Sequence, residues 1–136
     1  MSRLLNGRPG ALEWDKEGIA VRTVRAHLEL PTGVELTGTP TVRIDKLTVG
    51  SEPEDWVDVT SDFGISAITV VNAVADDGST NLGTNQAVQF QFAADSGTEP
   101  DETDDPTPGD EYRVVITATR DSGGEWVGKV PLIIHF

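Results

Sequence analysis

The chain has 136 residues and no cysteine, which excludes thiolate catalysis, cysteine-ligated metal and a disulfide framework. Ten basic against 23 acidic side chains give a formal charge of −13; such a surface repels phosphate backbones, and no apolar run approaches the roughly 20 residues that span a bilayer, so neither nucleic acid nor membrane is an expected partner. Fourteen glycines and eight prolines beside abundant Val, Thr and Ile favour a turn-rich all-β domain, long enough to bury roughly two thirds of its unfolded surface.

Residues 1–18 read as an N-terminal arm and 19–136 as a β-sandwich domain. Met1 to Gly10 has no periodicity, and two glycines and a proline interrupt any regular element. The adjacent Leu4 and Leu5, between Arg3 and Arg8, suit docking on a neighbour better than exposure to water; a mobile tail is the plainer reading. The segment also lacks the apolar centre of a signal peptide, so a soluble chain without ordinary export is expected. Ala11 to Lys16 reads as a short extended piece carrying Trp14. Charge is uneven along the chain: Met1 to Ala26 holds five of the ten basic residues against three acids.

From Ile19 to Leu30 the pattern alternates with a slip of one: Ile19, Val21 and Thr23 share one face, then Val24, Ala26, Leu28 and Leu30 the other, as a β-bulge or a change of partner sheet would produce. Pro31-Thr32-Gly33 turns the chain, Val34 to Leu36 is a short extended piece, and Gly38-Thr39-Pro40 precedes a strand Thr41 to Asp45 with Val42 and Ile44 inward. Leu47 to Val49 either continue that strand or pair elsewhere. Gly50 to Asp55 is polar loop, Trp56 to Val59 is extended, and a turn falls at Ser61-Asp62.

Ile65 to Val74 is the most β-prone run, with Ile68, Val70 and Asn72 opposing Ala67, Thr69 and Val71. Asp76-Asp77-Gly78-Ser79 is a strong turn signal. Ala87 to Phe92 then alternates cleanly, Val88, Phe90 and Phe92 toward a core and Gln89 and Gln91 toward water. Residues 95–111 carry eight acids and no base among prolines and glycines, which predicts a long solvated loop. The last quarter predicts a hairpin: Tyr112, Val114, Ile116 and Ala118 on one face, a reversal at Arg120 to Gly124, and Trp126, Gly128, Val130, Leu132 and Ile134 in register on the return. Tyr112 has the placement of the tyrosine corner of immunoglobulin-like sandwiches, although a plain core tyrosine explains it equally. Seven or eight such strands, with turn signals roughly every 8 to 12 residues, predict an antiparallel two-sheet sandwich.

Chemistry-bearing patterns are sparse. His27 and His135 have no spaced partner that would make a metal pair, no serine has a Gly-x-Ser-x-Gly context, and no glycine-rich phosphate loop or acid/base carboxylate couple stands out, so no enzyme, metal or cofactor is expected. The acidic loop offers ligands for Ca²⁺ but lacks the spacing that wraps one ion. Electrostatics suggest instead that Asp101, Glu102, Asp104 and Asp105 meet basic groups on a neighbouring subunit, including Arg3 and Arg8 of another copy. Trp14, Trp56 and Trp126 admit a sugar-stacking platform, against which stands core or interface packing, the face on which Trp126 falls.

Leu36 to Val42, Gly64-Ile65-Ser66 leading into a β run, Gln86 to Ala94, and Tyr112 to Gly124 together resemble small immunoglobulin-like virion proteins of tailed bacteriophages, whose typical ending is V-x-F-x-(small) followed by G-x-x-Y-x-(V)-x-(I/V)-x-(A/T)-T-x-x-G-G. The resemblance covers Leu28 to Phe136; the short turn usual before the tyrosine is replaced here by the acidic 95–111 run. It implies an immunoglobulin-like antiparallel sandwich of about seven strands with an extended N-terminal arm, no active site, and a structural role in the virion, assembled in the host cytoplasm. The implied partners are capsid, neck or tail subunits and copies of itself; the residues themselves, outside what the resemblance covers in the arm, offer Arg3, Leu4, Leu5, Arg8, Trp14 and the four acids named above as contact residues. A capsid decoration (cement) protein is the alternative within that class, and a carbohydrate-binding module of a host-recognition protein the alternative outside it.

Overall fold

The terminal hairpin shows how the sequence builds the rest. Strand β7 (Glu111–Arg120) and strand β8 (Glu125–His135) pair antiparallel, Tyr112 opposite Leu132 and Ala118 opposite Trp126. Because side chains alternate across a strand, Tyr112, Val114, Ile116 and Ala118 all point inward and are buried, while Arg113, Val115 and Thr117 point out. Gly128 faces the core beside Trp126; a Cβ there would stand 2.5 Å from Cη2 of the indole, so only glycine lets the ring lie flat across the strand.

A computed structural model describes residues 12–15, 20–47, 55–92 and 111–135. Besides the hairpin it contains β1 (Leu12–Asp15), β2 (Ala20–Arg25), β3 (Leu36–Leu47), the two-residue β4 (Val57–Asp58), β5 (Ser66–Val74) and β6 (Asn81–Phe92). One sheet has the order β1-β8-β7-β3-β4 and the other β2-β6-β5. Three strands against a sheet centred on β3, β7 and β8, with a short additional strand beyond β3, is the arrangement of an immunoglobulin-like sandwich. All pairs are antiparallel except β1 with β8, which run parallel, Leu12 opposite Leu132. Part of the 1–18 segment thus belongs to a sheet. The rest of the expected arm, and the acidic loop up to Glu111, lie outside the described residues.

The core lies between the sheets. Phe90 and Phe92 of β6 meet edge to face, 5.4 Å between ring centroids, and Phe63 packs 6.0 Å from both Phe92 and Tyr112. Each such buried ring stabilises by roughly 1.5–3 kcal/mol. Phe63 follows a 3-10 turn (Thr60–Asp62) in the crossing from one sheet to the other and is fully buried.

Four local expectations are corrected. The slip between Thr23 and Val24 is no bulge: β2 pairs with β6 in unbroken register from Ala20 to Arg25, with Val24 inward, and Val21 stands 53% exposed on the outer face. The strand then ends, so His27 and Leu28 lie on a turn and Leu28 is 88% exposed. Val34 to Leu36 and Thr41 to Asp45 are not two separate extended pieces; Leu36 begins the same strand as Thr41, and the break is a register shift between Thr37 and Thr41 that Gly38 absorbs at φ +72°. Asn72 does not face the core. A second shift, between Val71 and Ala73 of β5, returns the inward position to Ala73, which is fully buried, and leaves Asn72 exposed.

Side-chain bonds tie the loops at one end to the sheets. Gln86, itself buried, donates from Nε2 to the carbonyl of Val34 (2.7 Å), Trp126 Nε1 donates to Glu29 Oε1 (2.6 Å), and the Glu35 amide donates to Asp121 Oδ1 (3.0 Å).

Candidate functional site

The polar chemistry gathers on the outer face of the five-stranded sheet. Because Val42 and Ile44 point inward, Arg43 and Asp45 share the outer face of β3 two positions apart. Register sets Asp45 opposite Arg113 of β7 and opposite Asp58 of β4, and Arg113 opposite Pro131 of β8. The next row holds Arg43, Val115 and Lys129, and the one after it Thr41, Thr117 and Val127.

Asp45 is the centre. Its carboxylate is only 3% exposed although its strand face looks to solvent. Arg43 donates to it from Nε (2.8 Å) and Nη2 (3.0 Å), and Arg113 from Nε (3.2 Å). The bond to Asp45 raises the Arg43 pKa further above its ordinary value, reinforced by the charges of Asp45 and Asp58 and opposed by partial desolvation. Arg113 is held from its other side by Trp56, whose ring centroid is 4.1 Å from the guanidinium carbon, a stacked cation–π contact. Val115, apolar and outward, is nevertheless only 6% exposed. It sits between Arg43 and Lys129 in its row, two places along from Arg113.

At the edge, Asp58 accepts hydrogen bonds from the hydroxyl and the amide of Thr60, which lower its pKa, with Arg43 a lesser cause. The same Thr60 hydroxyl accepts from the amide of Ile44 (2.9 Å), so the turn is stitched to β3. The result is a sheet face on which charged groups hold one another in place.

The outer face of the three-stranded sheet is built differently. Arg25 donates from Nη1 to the carbonyl of Val74 (3.0 Å) and pairs with the exposed Asp76 (3.3 Å). Between them and Thr23, Asn72 and Gln89 runs an open groove of about 490 Å³. Its lining mixes these polar groups with Val71, Val74 and Ala75 and includes no aromatic ring.

Of the residues expected to bind partners, Arg3, Leu4, Leu5, Arg8, Asp101, Glu102, Asp104 and Asp105 lie outside the described residues, and Trp14 is placed by its backbone alone, in β1 opposite Ile134. Trp126 is a core residue, 6% exposed, with its indole N–H taken by Glu29. Trp56 is half-buried, with Arg113 over its ring. The imidazole Nδ1 of His27 is buried without a hydrogen-bond partner, and among the described residues no three His, Asp or Glu side chains are grouped to hold a metal. The Arg43–Asp45–Arg113 cluster was not anticipated. Opposite charges two apart within a strand whose other face is apolar were its available signal; the approach of Trp56 had none, since it depends on how β4 folds back on β3.

No protein-family profile and no curated protein matches the chain. A solved structure of murine CRIg aligns with 95% of this chain and 95% of its own at 11% identity and a TM-score of 0.37.

Proposed function

We propose that the chain is a non-enzymatic structural subunit of a tailed-phage virion, a β-sandwich that joins or stabilises neck, tail or capsid proteins through repeated protein–protein contacts. The observation that carries this reading is the outer face of the five-stranded sheet: its charged side chains are held in place by one another, and preordered donors favour docking because little side-chain freedom is lost on contact. The sequence resemblance to immunoglobulin-like virion proteins supplies the setting, and the immunoglobulin-like strand order is compatible with it.

The test is stoichiometry in purified particles of a phage that encodes the chain, by quantitative mass spectrometry against the major capsid protein. About a dozen copies per particle points to a neck or tail ring, and several hundred to a shell decoration that binds the major capsid protein, since copy number follows the symmetry of the site. Absence of the chain from washed, infectious particles overturns the reading.

A further inference from the structure

The turn between β5 and β6 contains a chemically labile step. Among the aspartates of the chain only Asp77 precedes a glycine, and after a glycine-free Cβ position nothing hinders the backbone nitrogen from approaching the aspartate side chain. The turn itself demands both residues. Gly78 sits at φ +80°, where other residues are strained, while no atom stands within 4 Å of the place a Cβ would take, so the demand is conformational and not one of space. Asp77 serves as acceptor: its Oδ1 takes the amides of Ser79 (2.8 Å) and Thr80 (2.9 Å), and its Oδ2 takes the hydroxyl of Thr80 (2.6 Å).

An Asp-Gly step reacts with itself in two stages. The amide nitrogen of Gly78 bonds to Cγ of Asp77, the amide proton and the carboxyl hydroxyl depart as one water, and a succinimide ring is left. Water then opens the ring at Cγ, which restores aspartate, or at the former backbone carbonyl, which leaves the chain running through Cβ and Cγ as isoaspartate. Only the protonated carboxyl has a hydroxyl to lose. Each hydrogen bond that Asp77 accepts favours the ionised form, and a pKa of about 2 against 3.8 lowers the reactive fraction roughly sixtyfold at any pH well above both. The nucleophile is engaged as well, since the Gly78 amide donates to the carbonyl of Ala75 (2.9 Å). Asp76 to Thr80 are all exposed, so hydrogen bonds and not burial restrain the reaction.

We propose that Asp77–Gly78 is a latent isoaspartate site of this chain and that the Thr80 hydroxyl keeps it closed. Opening it lengthens the backbone by one atom inside a hairpin that the Ala75 amide ties to the Thr80 carbonyl (2.8 Å), next to Asp76, the partner of Arg25. The inference concerns the purified chain and does not draw on the virion assignment.

The full chain aged at about pH 5 and about 37 °C tests it, with isoaspartate at residue 77 measured by electron-transfer fragmentation in the parent, Thr80→Val and Thr80→Ser. Valine keeps the shape of threonine and loses the hydroxyl; serine keeps the hydroxyl and loses the methyl. Isoaspartate is expected to accumulate roughly tenfold faster in Thr80→Val than in the parent, and in Thr80→Ser within about twofold of the parent rate. The parent unfolded in urea, where the clamp is open, is expected to react at least about tenfold faster than the folded parent, a comparison that needs no variant to fold. A Thr80→Val chain that ages no faster than the parent, a Thr80→Ser chain that ages as fast as Thr80→Val, or an unfolded parent no faster than the folded one each overturns the proposal.

Discussion

Both outer faces of the sandwich carry an arginine bonded to an aspartate, and the two pairs differ in what surrounds them. On the five-stranded sheet the Asp45 carboxylate is 3% exposed and takes three arginine nitrogens; on the three-stranded sheet Asp76 is 60% exposed and Arg25 reaches it at 3.3 Å. Register explains the contrast. β3 and β7 align without a shift from Thr41 to Leu47, so charged side chains stand in straight rows and cover one another. β5 shifts register between Ser66 and Thr69 and again between Val71 and Ala73, and it forms the sheet's edge. Such irregularity guards an open edge against pairing with another chain, and it also denies that face the rows from which a cluster is built. The same ionic chemistry is therefore a buried network in one place and a solvated pair in the other.

Asp45→Ala is the strongest way to break that contrast. It removes a buried acceptor of three charge-assisted bonds and leaves two guanidinium groups side by side, for an expected loss of about 2–4 kcal/mol in urea unfolding. Asp76→Ala is expected to cost no more than about 0.5 kcal/mol, the range of exposed pairs. Equal losses from the two substitutions would mean that burial does not separate the faces. Arg113→Gln comes next, at about 1–2 kcal/mol, because Arg43 still holds Asp45 with two bonds. It also strips the cover from the Trp56 ring, so a red-shifted tryptophan emission should accompany the loss. An unshifted spectrum would show that the stack does not shield the indole.

How much of this was legible in the sequence differs between the two regions for the same reason. The β7–β8 hairpin follows from period-two hydrophobicity and a glycine-rich reversal, because both its strands are regular and pair with each other. Where the backbone departs from regularity, the pattern misleads. Val21 and Leu28 look like core residues and are exposed, Val21 because the face that β2 buries is set by Val88, Phe90 and Phe92 across the ladder, and Leu28 because the strand has ended before it. Asn72 falls on the wrong face because a bulge carries no compositional mark in that run. Phe63 is buried by the crossing between the sheets, which local alternation does not encode. The charged cluster was half legible: Arg43 and Asp45 share a face by parity alone, whereas their meeting with Arg113 and Trp56 depends on long-range pairing.

The smallest effect sharpens the contrast from within the three-stranded sheet. Beside Asp76, Asp77 has no ion pair among the described residues, yet its pKa lies at about 2 against an ordinary 3.8. The hydroxyl of Thr80 is the largest cause (2.6 Å), followed by the amides of Thr80 (2.9 Å) and Ser79 (2.8 Å), all of which bond the ionised form. A carboxylate whose folded value is depressed contributes stability that is present above its unfolded value near 3.8 and lost as the pH falls from there through about 2. Thr80→Val deletes the leading donor, so the Asp77 carboxyl, followed by NMR, should titrate closer to 3.8. Raising the salt to about 0.5 M should weaken the coupling between Arg25 and Asp76, because exposed charges are screened, and leave Asp77 nearly where it was, because its bonds are short contacts with neutral groups. If Asp77 instead follows salt as Asp76 does, the turn is held by charge, and the line drawn between the two faces has to be redrawn around electrostatics alone.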